Sequence, residues 1–514
     1  MKNKLVNPTV TYFPLWLTVV LSIGFPAALQ AASEPGSKPL NIMLFTADDL
    51  GYESVGCFGC KVRDITPNLD RFASEGMRFE LAHVTAAICQ PSRGALGTGR
   101  YCHRSGVTGF YHTERDIPTI MESLRLAGYL TGILGKVNHS TPKGTYTWDF
   151  THDQGELGQG RDPMRYYRYC REFLDRCRKE GKPFYFMVNS HDPHRPYQDP
   201  QNPPFPGEAA TPSRLYSPSE IIVPGYLPDL PGVRTEISYY YNSVRRCDDT
   251  FGMVMKALKE SGFEQSTMVM FLSDNGIAVP FAKCNCYLAS THTPWIVRWP
   301  GVVKPGGVDC HHFISGIDFF PTAMEAAGLP PPSGVDGFSF VPLLKGGAQE
   351  GRDKVFTQID HQASGQFVPM RCLQDKKYGY IFTPWSDGTF RYRNSNEGLC
   401  MRAMEQAAKT DAWIASRVAM FRYRALEEFY DLEKDPSSLQ NLMGDPRYAK
   451  VIEKMRGEML SWMRQTGDPA LAAMENCNSP QIVKQFVTDD PERPAATGKK
   501  KNAKGAGKKR KQVD

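Results

Sequence analysis

The chain contains the stretch Cys89-Gln90-Pro91-Ser92-Arg93-Gly94-Ala95-Leu96-Gly97-Thr98-Gly99-Arg100. It has the form Cys-x-Pro-Ser-Arg-x-x-Leu-x-Thr-Gly-Arg, so eight of its twelve positions follow a pattern. If Ser92 opens a helix, residue 89 lies near the N-terminus, where backbone N–H groups favour an anion. Taken alone, the stretch also fits a buried thiol, or half of a disulfide, followed by a glycine-rich turn. The segments on either side decide between these readings.

Upstream, Asn41 to Phe45 is a short apolar run that reads as a buried strand. It ends in Thr46-Ala47-Asp48-Asp49. Paired carboxylates at a strand end suit a hard cation, which takes oxygen ligands; a helix cap with a solvated neighbour is the plainer alternative. Thr66-Pro67 reads as a capped helix start. Downstream, Ile117 to Gly128 reads as a helix and Tyr129 to Leu134 as a strand, followed by Gly135-Lys136-Val137-Asn138-His139. Met164 to Lys179 is a basic helix. Pro183 to Asn189 is an apolar strand ending in Ser190-His191-Asp192-Pro193-His194-Arg195, whose two histidines could face an anion. Residues 198 to 232 are rich in turn formers and read as a long loop. Glu236 to Ser261 follows as a helix. Thr267 to Leu272 is a strand ending in Ser273-Asp274-Asn275-Gly276, a second hard-metal pair or an Asx turn. Trp295 to Gly301 is another strand, and a helix runs from near Gly316 to Gly328.

Strands alternating with helices predict a mostly parallel sheet covered on both faces. Sites in such sheets form at the carboxyl ends of the strands. Asp48-Asp49, Lys136, His191 and Asp274-Asn275 all follow apolar strands, which predicts one shared site. After about residue 350 the texture changes. Lys354 to Ile359, Pro369 to Leu373 and Tyr378 to Phe382 read as a small antiparallel sheet, and Tyr448 to Gln465 as a final helix.

Composition bounds the rest. A chain of 514 residues exceeds one ordinary core. The expected division is a signal peptide over 1–32, a catalytic domain over 38–350, a C-terminal subdomain over 351–480 and a basic, Gly- and Lys-rich tail over 490–514. The formal charge is +6, but the last 17 residues hold eight Lys or Arg against one acid, so the body is near neutral. No nucleic-acid partner is expected. Lys2 and Lys4, the apolar Leu15 to Ala28 and Ala31-Ala32 read as an export signal, with no membrane span left after cleavage. Export permits disulfides, and twelve cysteines remain once Cys89 is set aside. Cys57/Cys60 and Cys284/Cys286 lack the second ligand pair of a zinc site.

The Cys89 stretch resembles the signature of the type I sulfatases, in which this cysteine is oxidised to Cα-formylglycine. The resemblance covers about residues 38 to 445 and includes Thr66 to Gly76 and the segment around Tyr430 to Pro436. It implies an alkaline-phosphatase-like α/β sandwich with a smaller C-terminal α+β subdomain. It implies one divalent cation, Ca²⁺, held by Asp48, Asp49, Asp274, Asn275 and residue 89. It further implies that Arg93 and Lys136 stabilise the modified residue and the anion, with Lys136 binding substrate, and that His139 assists loss of sulfate. His191, favoured over His194, and Lys283 would face the sulfate and leaving group.

A hydrated aldehyde suits the chemistry, because one hydroxyl attacks sulfur and the other expels sulfate, whereas an S-sulfo-cysteine has no easy exit. The implied partners are a sulfated carbohydrate and a formylglycine-generating maturation enzyme. Within the family, His191 to Arg195, Asp274 to Ile277 with Pro280-Phe281, and Pro369-Met370-Arg371 resemble the branch that cleaves N-linked sulfate from glucosamine. Tyr287-Leu288-Ala289-Ser290, in place of the Tyr-Glu-Gly-Gly of arylsulfatases, points the same way. Lys283 in place of an arginine, and the longer Gly-Lys-x-x-His element, depart from that branch. The alternatives are an O-sulfatase, or a phosphodiesterase or phosphonate hydrolase of the same superfamily. The latter commonly hold two metals, and ligands for only one are visible. A carbohydrate-binding relative without catalysis has no use for the Cys89 motif.

Overall fold

Asn41 to Asp48 is buried along its whole length, and only a central strand covered on both faces can bury such a run. In the computed structural model, which describes Met1 and residues 39–491, this strand lies between Phe184–Pro193 and Thr267–Ser273 and is parallel to both. The segments expected as export signal and basic tail fall outside the described residues, apart from the first residues of the expected tail. Among the described residues the large sheet has eight strands. Their order is Phe150–His152, Leu130–Leu134, Phe184–Pro193, Asn41–Asp48, Thr267–Ser273, Trp295–Arg298, Met77–Phe79 and Gly307–Asp309. Alternate side chains of the central strand feed two cores. Met43 and Phe45 pack in one, with residues of the helices Pro163–Glu180 and Pro231–Glu260. Ile42 and Leu44 pack in the other, with Ile120, Phe319 and Phe320.

The sheet is mostly parallel, as the alternation predicts, and departs from this on one side. Trp295–Arg298 runs antiparallel to Thr267–Ser273 and to Met77–Phe79. A parallel return needs a crossover, usually a helix. Residues 274–294 instead form a loop with one short helical turn, Leu288–Thr291.

The expected C-terminal strands form an antiparallel sheet, ordered Lys354–His361, Phe367–Asp375, Tyr378–Phe382 and Glu427–Asp431. The fourth strand arrives after two helices that no sequence pattern suggests, Leu399–Ala407 and Ala412–Tyr423. Helix Ala449–Thr466 packs Met455, Met459 and Trp462 against this sheet. It is not the last helix, since Leu471–Glu475 and Pro480–Asp489 follow. No disulfide links any of the thirteen cysteines, all of which lie among the described residues.

One local expectation is corrected. Thr66 stands at the N-cap of helix Pro67–Glu75, but its side chain does not cap it. Its hydroxyl accepts from the Gly56 N–H (2.8 Å) and donates to Asp70 (3.2 Å). The first N–H groups of the helix, from Asn68 and Leu69, go to Asp248 of helix Pro231–Glu260 at 3.1 and 2.8 Å. The cap is thus supplied from about 180 residues away, where no local motif signals it. Replacing Asp248 with Ala is expected to cost about 1–2 kcal/mol, the usual value of a helix cap, measured as a fall in denaturation midpoint. Unchanged stability would contradict this capping role.

Candidate active site

Four of the parallel strands, Asn41–Asp48, Leu130–Leu134, Phe184–Pro193 and Thr267–Ser273, bring the residues at or just past their ends to one edge of the sheet. Asp48 closes the central strand, and Asp49 turns away from it in the left-handed region, φ 67°. Gly135 and Lys136 are both left-handed after strand Leu130–Leu134, at φ 67° and 51°. A Cβ on Gly135 would meet the Asn189 carbonyl oxygen at 2.4 Å, so the Gly-Lys pair is set by the close approach of the neighbouring strand. The helix carrying the motif begins at Cys89 itself rather than Ser92, and every residue from Cys89 to Thr98 is buried.

Arg93, one turn into that helix, joins the strand ends. Its Nε donates to Asp274 Oδ2 at 2.9 Å, and its Nη2 lies 2.8 Å from the same oxygen as part of the ion pair. Its Nη1 donates to Thr46 Oγ1 and Asn189 Oδ1, both at 2.7 Å, with Ser140 Oγ at 3.4 Å. The Cys89 thiol points at Asp48 Oδ1, 3.3 Å away. Lys283 Nζ lies 2.6 Å from Asp49 Oδ1 and 3.2 Å from Cys89 Sγ. Lys136 Nζ pairs with Asp48 Oδ2. Asn275 donates to Asp49 Oδ1 at 2.7 Å, and the Asp49 N–H donates to Asp274 Oδ1 at 3.1 Å.

Burial would raise the Asp48 carboxyl, but Lys136, His194, Arg93 and Lys283 together hold it well below the usual carboxylate range. Burial and the charge of Asp48 push Asp274 up to about 7. Burial, then Asp48, pushes the Cys89 thiol well up, so as a plain cysteine it stays protonated and is a poor nucleophile. Burial opposes the charge on Lys283, but Asp49, Cys89, Asp48 and Asp274 together outweigh it and raise that ammonium well above its ordinary value. His139 is lowered to about 4 by burial and by Lys136.

The predicted residues Asp48, Asp49, Cys89, Arg93, Lys136, Asp274, Asn275 and Lys283 therefore meet. The two histidines of the His191 to Arg195 segment separate. His194 Nε2 lies 3.8 Å from Asp49 Oδ2. The favoured His191 sits behind, where its Nε2 accepts from the Lys136 N–H at 3.2 Å. Sequence spacing does not distinguish them, because the chain turns between the two. His139 stacks edge-on against Phe110, 5.2 Å between ring centres, and its buried Nδ1 has no hydrogen-bond partner. Thr46, Asn189 and Ser140, which anchor Arg93, are absent from the residues expected in the site. Thr46 and Asn189 each follow an apolar run within their strands, and that position is the one sequence signal they carry.

Oxygens of Asp48 and Asp49, Cys89 Sγ and a His194 nitrogen lie within 4.8 Å of one another. Asp49 Oδ2 and Asn275 Oδ1 are buried acceptors with no hydrogen bond. An unmet buried acceptor costs about 1–3 kcal/mol, so these atoms fit a hard divalent cation. Asp274 is the most committed of the five expected ligands, since Arg93 and the Asp49 N–H occupy it.

Residues 40–329 match the sulfatase family model. The chain belongs to the sulfatase family. Residues 278–387 match the C-terminal model of N-sulphoglucosamine sulphohydrolase. The human N-sulphoglucosamine sulphohydrolase is 30% identical over 489 residues, covering 87% of this chain and 95% of its own. An ulvan-active sulfatase of Formosa agariphila is 29% identical over 444 residues, covering 86% and 83%. A protein solved with its substrate D-glucosamine-2-N,6-O-disulfate superposes with a TM-score of 0.63 at 19% identity, over 84% of this chain and 99% of that one, which shows the shared fold. As a sulfatase the chain is a sulfuric ester hydrolase of alkaline-phosphatase-like fold.

A divalent cation bound to these carboxylates stabilises the fold by mass action, about 2.7 kcal/mol at a hundred times its Kd. Calcium is expected to raise the melting temperature of the wild type, and to do so much less for Asp49→Ala. Equal shifts for both proteins would place the cation elsewhere.

Proposed function

We propose that the chain is an exported sulfatase that removes sulfate from a sulfated carbohydrate, with the N-linked sulfate of glucosamine as its preferred substrate. The observation that carries this reading is the convergence of Cys89, three carboxylates and three cations at one buried strand edge, together with similarity to the human sulphohydrolase along most of both chains. The N-terminal signal supports export. Among the described residues no helix is long and apolar enough to cross a membrane.

Residue 89, as formylglycine hydrate made by a maturation enzyme, supplies the nucleophile and the hydroxyl that later expels sulfate. Asp48, Asp49, Asn275 and, less freely, Asp274 would hold one Ca²⁺, which neutralises charge on the sulfate oxygens. Lys283 and Lys136 flank residue 89 and attract the anion, and their charges are already ordered before substrate arrives. Arg93 fixes the helix that carries residue 89 and touches the cluster through Asp274. The hydrogen bond and proton for the leaving group are assigned to His194 rather than His191, a reading supported by its position beside Asp49. His191 orients Lys136 through its backbone. His139 lies on the Lys136 side and is assigned the loss of sulfate.

The O-sulfatase reading keeps one specific support, the similarity to an ulvan-active sulfatase over 86% of this chain. The test is inorganic sulfate released by enzyme of verified maturation from N-sulfoglucosamine and from 6-O-sulfo-N-acetylglucosamine. Release at least tenfold faster from the N-sulfated sugar is expected. Release from the O-sulfated sugar alone would retain the sulfatase and overturn the substrate.

A further inference from the structure

The loop that carries Lys283 is held from behind by residues more than 100 positions later in the chain. Its backbone is strained, with Phe281 and Cys284 in the left-handed region at φ 68° and 64°. Such conformations persist where the surroundings over-determine them. Here the surroundings are specific. The Tyr392 hydroxyl donates to the Cys284 carbonyl at 2.5 Å, and Ser395 Oγ reaches the Lys283 carbonyl at 3.4 Å. Arg424, itself left-handed at φ 57° and buried, donates to Asn285 Oδ1 and to the Tyr287 hydroxyl. Asn285 in turn donates to the Lys283 carbonyl at 3.0 Å.

Four aromatic rings surround the Arg424 guanidinium: Tyr287 at 4.9 Å, Phe421 and Tyr392 at 5.3 Å and Phe281 at 5.6 Å. Two of these rings belong to the Lys283 loop and two to the later segment. The charge on Arg424 cannot be lost by deprotonation, and its flat fork both stacks and donates. Glu428 accepts from Tyr287 at 2.7 Å and supplies the counter-charge.

We propose that Arg424, with Tyr392, is a positioning residue for catalysis: it sets the loop so that Lys283 Nζ reaches Asp49 and residue 89. This rests on the reading of Lys283 as a sulfate-facing cation. It gives the later part of the chain a role in the reaction although none of it carries a catalytic group. Lysine cannot replace Arg424, because an ammonium can neither stack as a plane nor bridge Asn285 and Tyr287 in one fork.

The test is a double-mutant cycle, since residues acting through one another do not add. Sulfate release and the calorimetric affinity for inorganic sulfate are measured for wild type, Arg424→Lys, Tyr392→Phe, Lys283→Ala and each pair with Lys283→Ala. Displacing a reacting group by about 1 Å costs about a hundredfold, so Arg424→Lys is expected to lower kcat/KM by up to that factor and to weaken sulfate binding. In the Lys283→Ala background it should cause no further loss. Tyr392→Phe, which deletes one hydroxyl, should show a smaller loss with the same non-additivity and an unchanged melting temperature, and it decides the matter if Arg424→Lys unfolds. Losses that multiply with that of Lys283→Ala would overturn the proposal while leaving Lys283 its role. A Lys283→Ala enzyme with full activity would remove that role and the proposal with it.

Discussion

Arg93 donates to three neighbouring strand ends at once: Thr46 on the central strand, Asn189 on the next, and Asp274 just past a third. Its guanidinium is wholly buried, so leaving any of these bonds unmade would strand a charge away from water. The helix beginning at Cys89 can therefore sit in only one place relative to the sheet. That constraint puts residue 89 at the edge where the carboxylates emerge. The same arginine holds Asp274 in place and leaves Asp49 Oδ2 and Asn275 Oδ1 as the acceptors without partners.

Charge explains what the edge can accept. Asp48, Asp49 and Asp274 stand against Arg93, Lys136 and Lys283, three of each sign. A divalent cation added to this balance leaves the site positive, which favours an anion such as sulfate. The cations differ in what fixes them. Arg93 is fixed by the sheet, Lys136 by the tight Gly135 turn and the His191 ring behind it, and Lys283 by a strained loop braced from the C-terminal side. The bracing residues Tyr392 and Arg424 lie between strands Tyr378–Phe382 and Glu427–Asp431 of the small antiparallel sheet.

Much of this is legible in the sequence, for stated physical reasons. Buried strands show as continuous apolar runs, and in a parallel sheet everything that follows them shares one edge. Asp48-Asp49, Lys136 and Asp274-Asn275 can therefore be grouped from their positions in the chain alone. The direction of Trp295–Arg298 is not legible, because alternation does not reveal that the preceding loop forms a site instead of a crossover helix. The different placing of His191 and His194 is not legible either, since it depends on a turn between them. Asp248, which caps a helix about 180 residues away, and Arg424, which braces the Lys283 loop, leave no local pattern. Long-range partners of this kind become visible only in three dimensions.

The central claim is that residue 89 acts as an aldehyde and not as a thiol, whose pKa burial pushes well up in this site. The most direct measurement is the mass of the peptide spanning Cys89, taken from a preparation whose sulfate release has been quantified. The account predicts that activity scales with the fraction of peptide in which sulfur has been replaced by the aldehyde oxygen. Full activity in a preparation whose peptide carries only the intact thiol would contradict it.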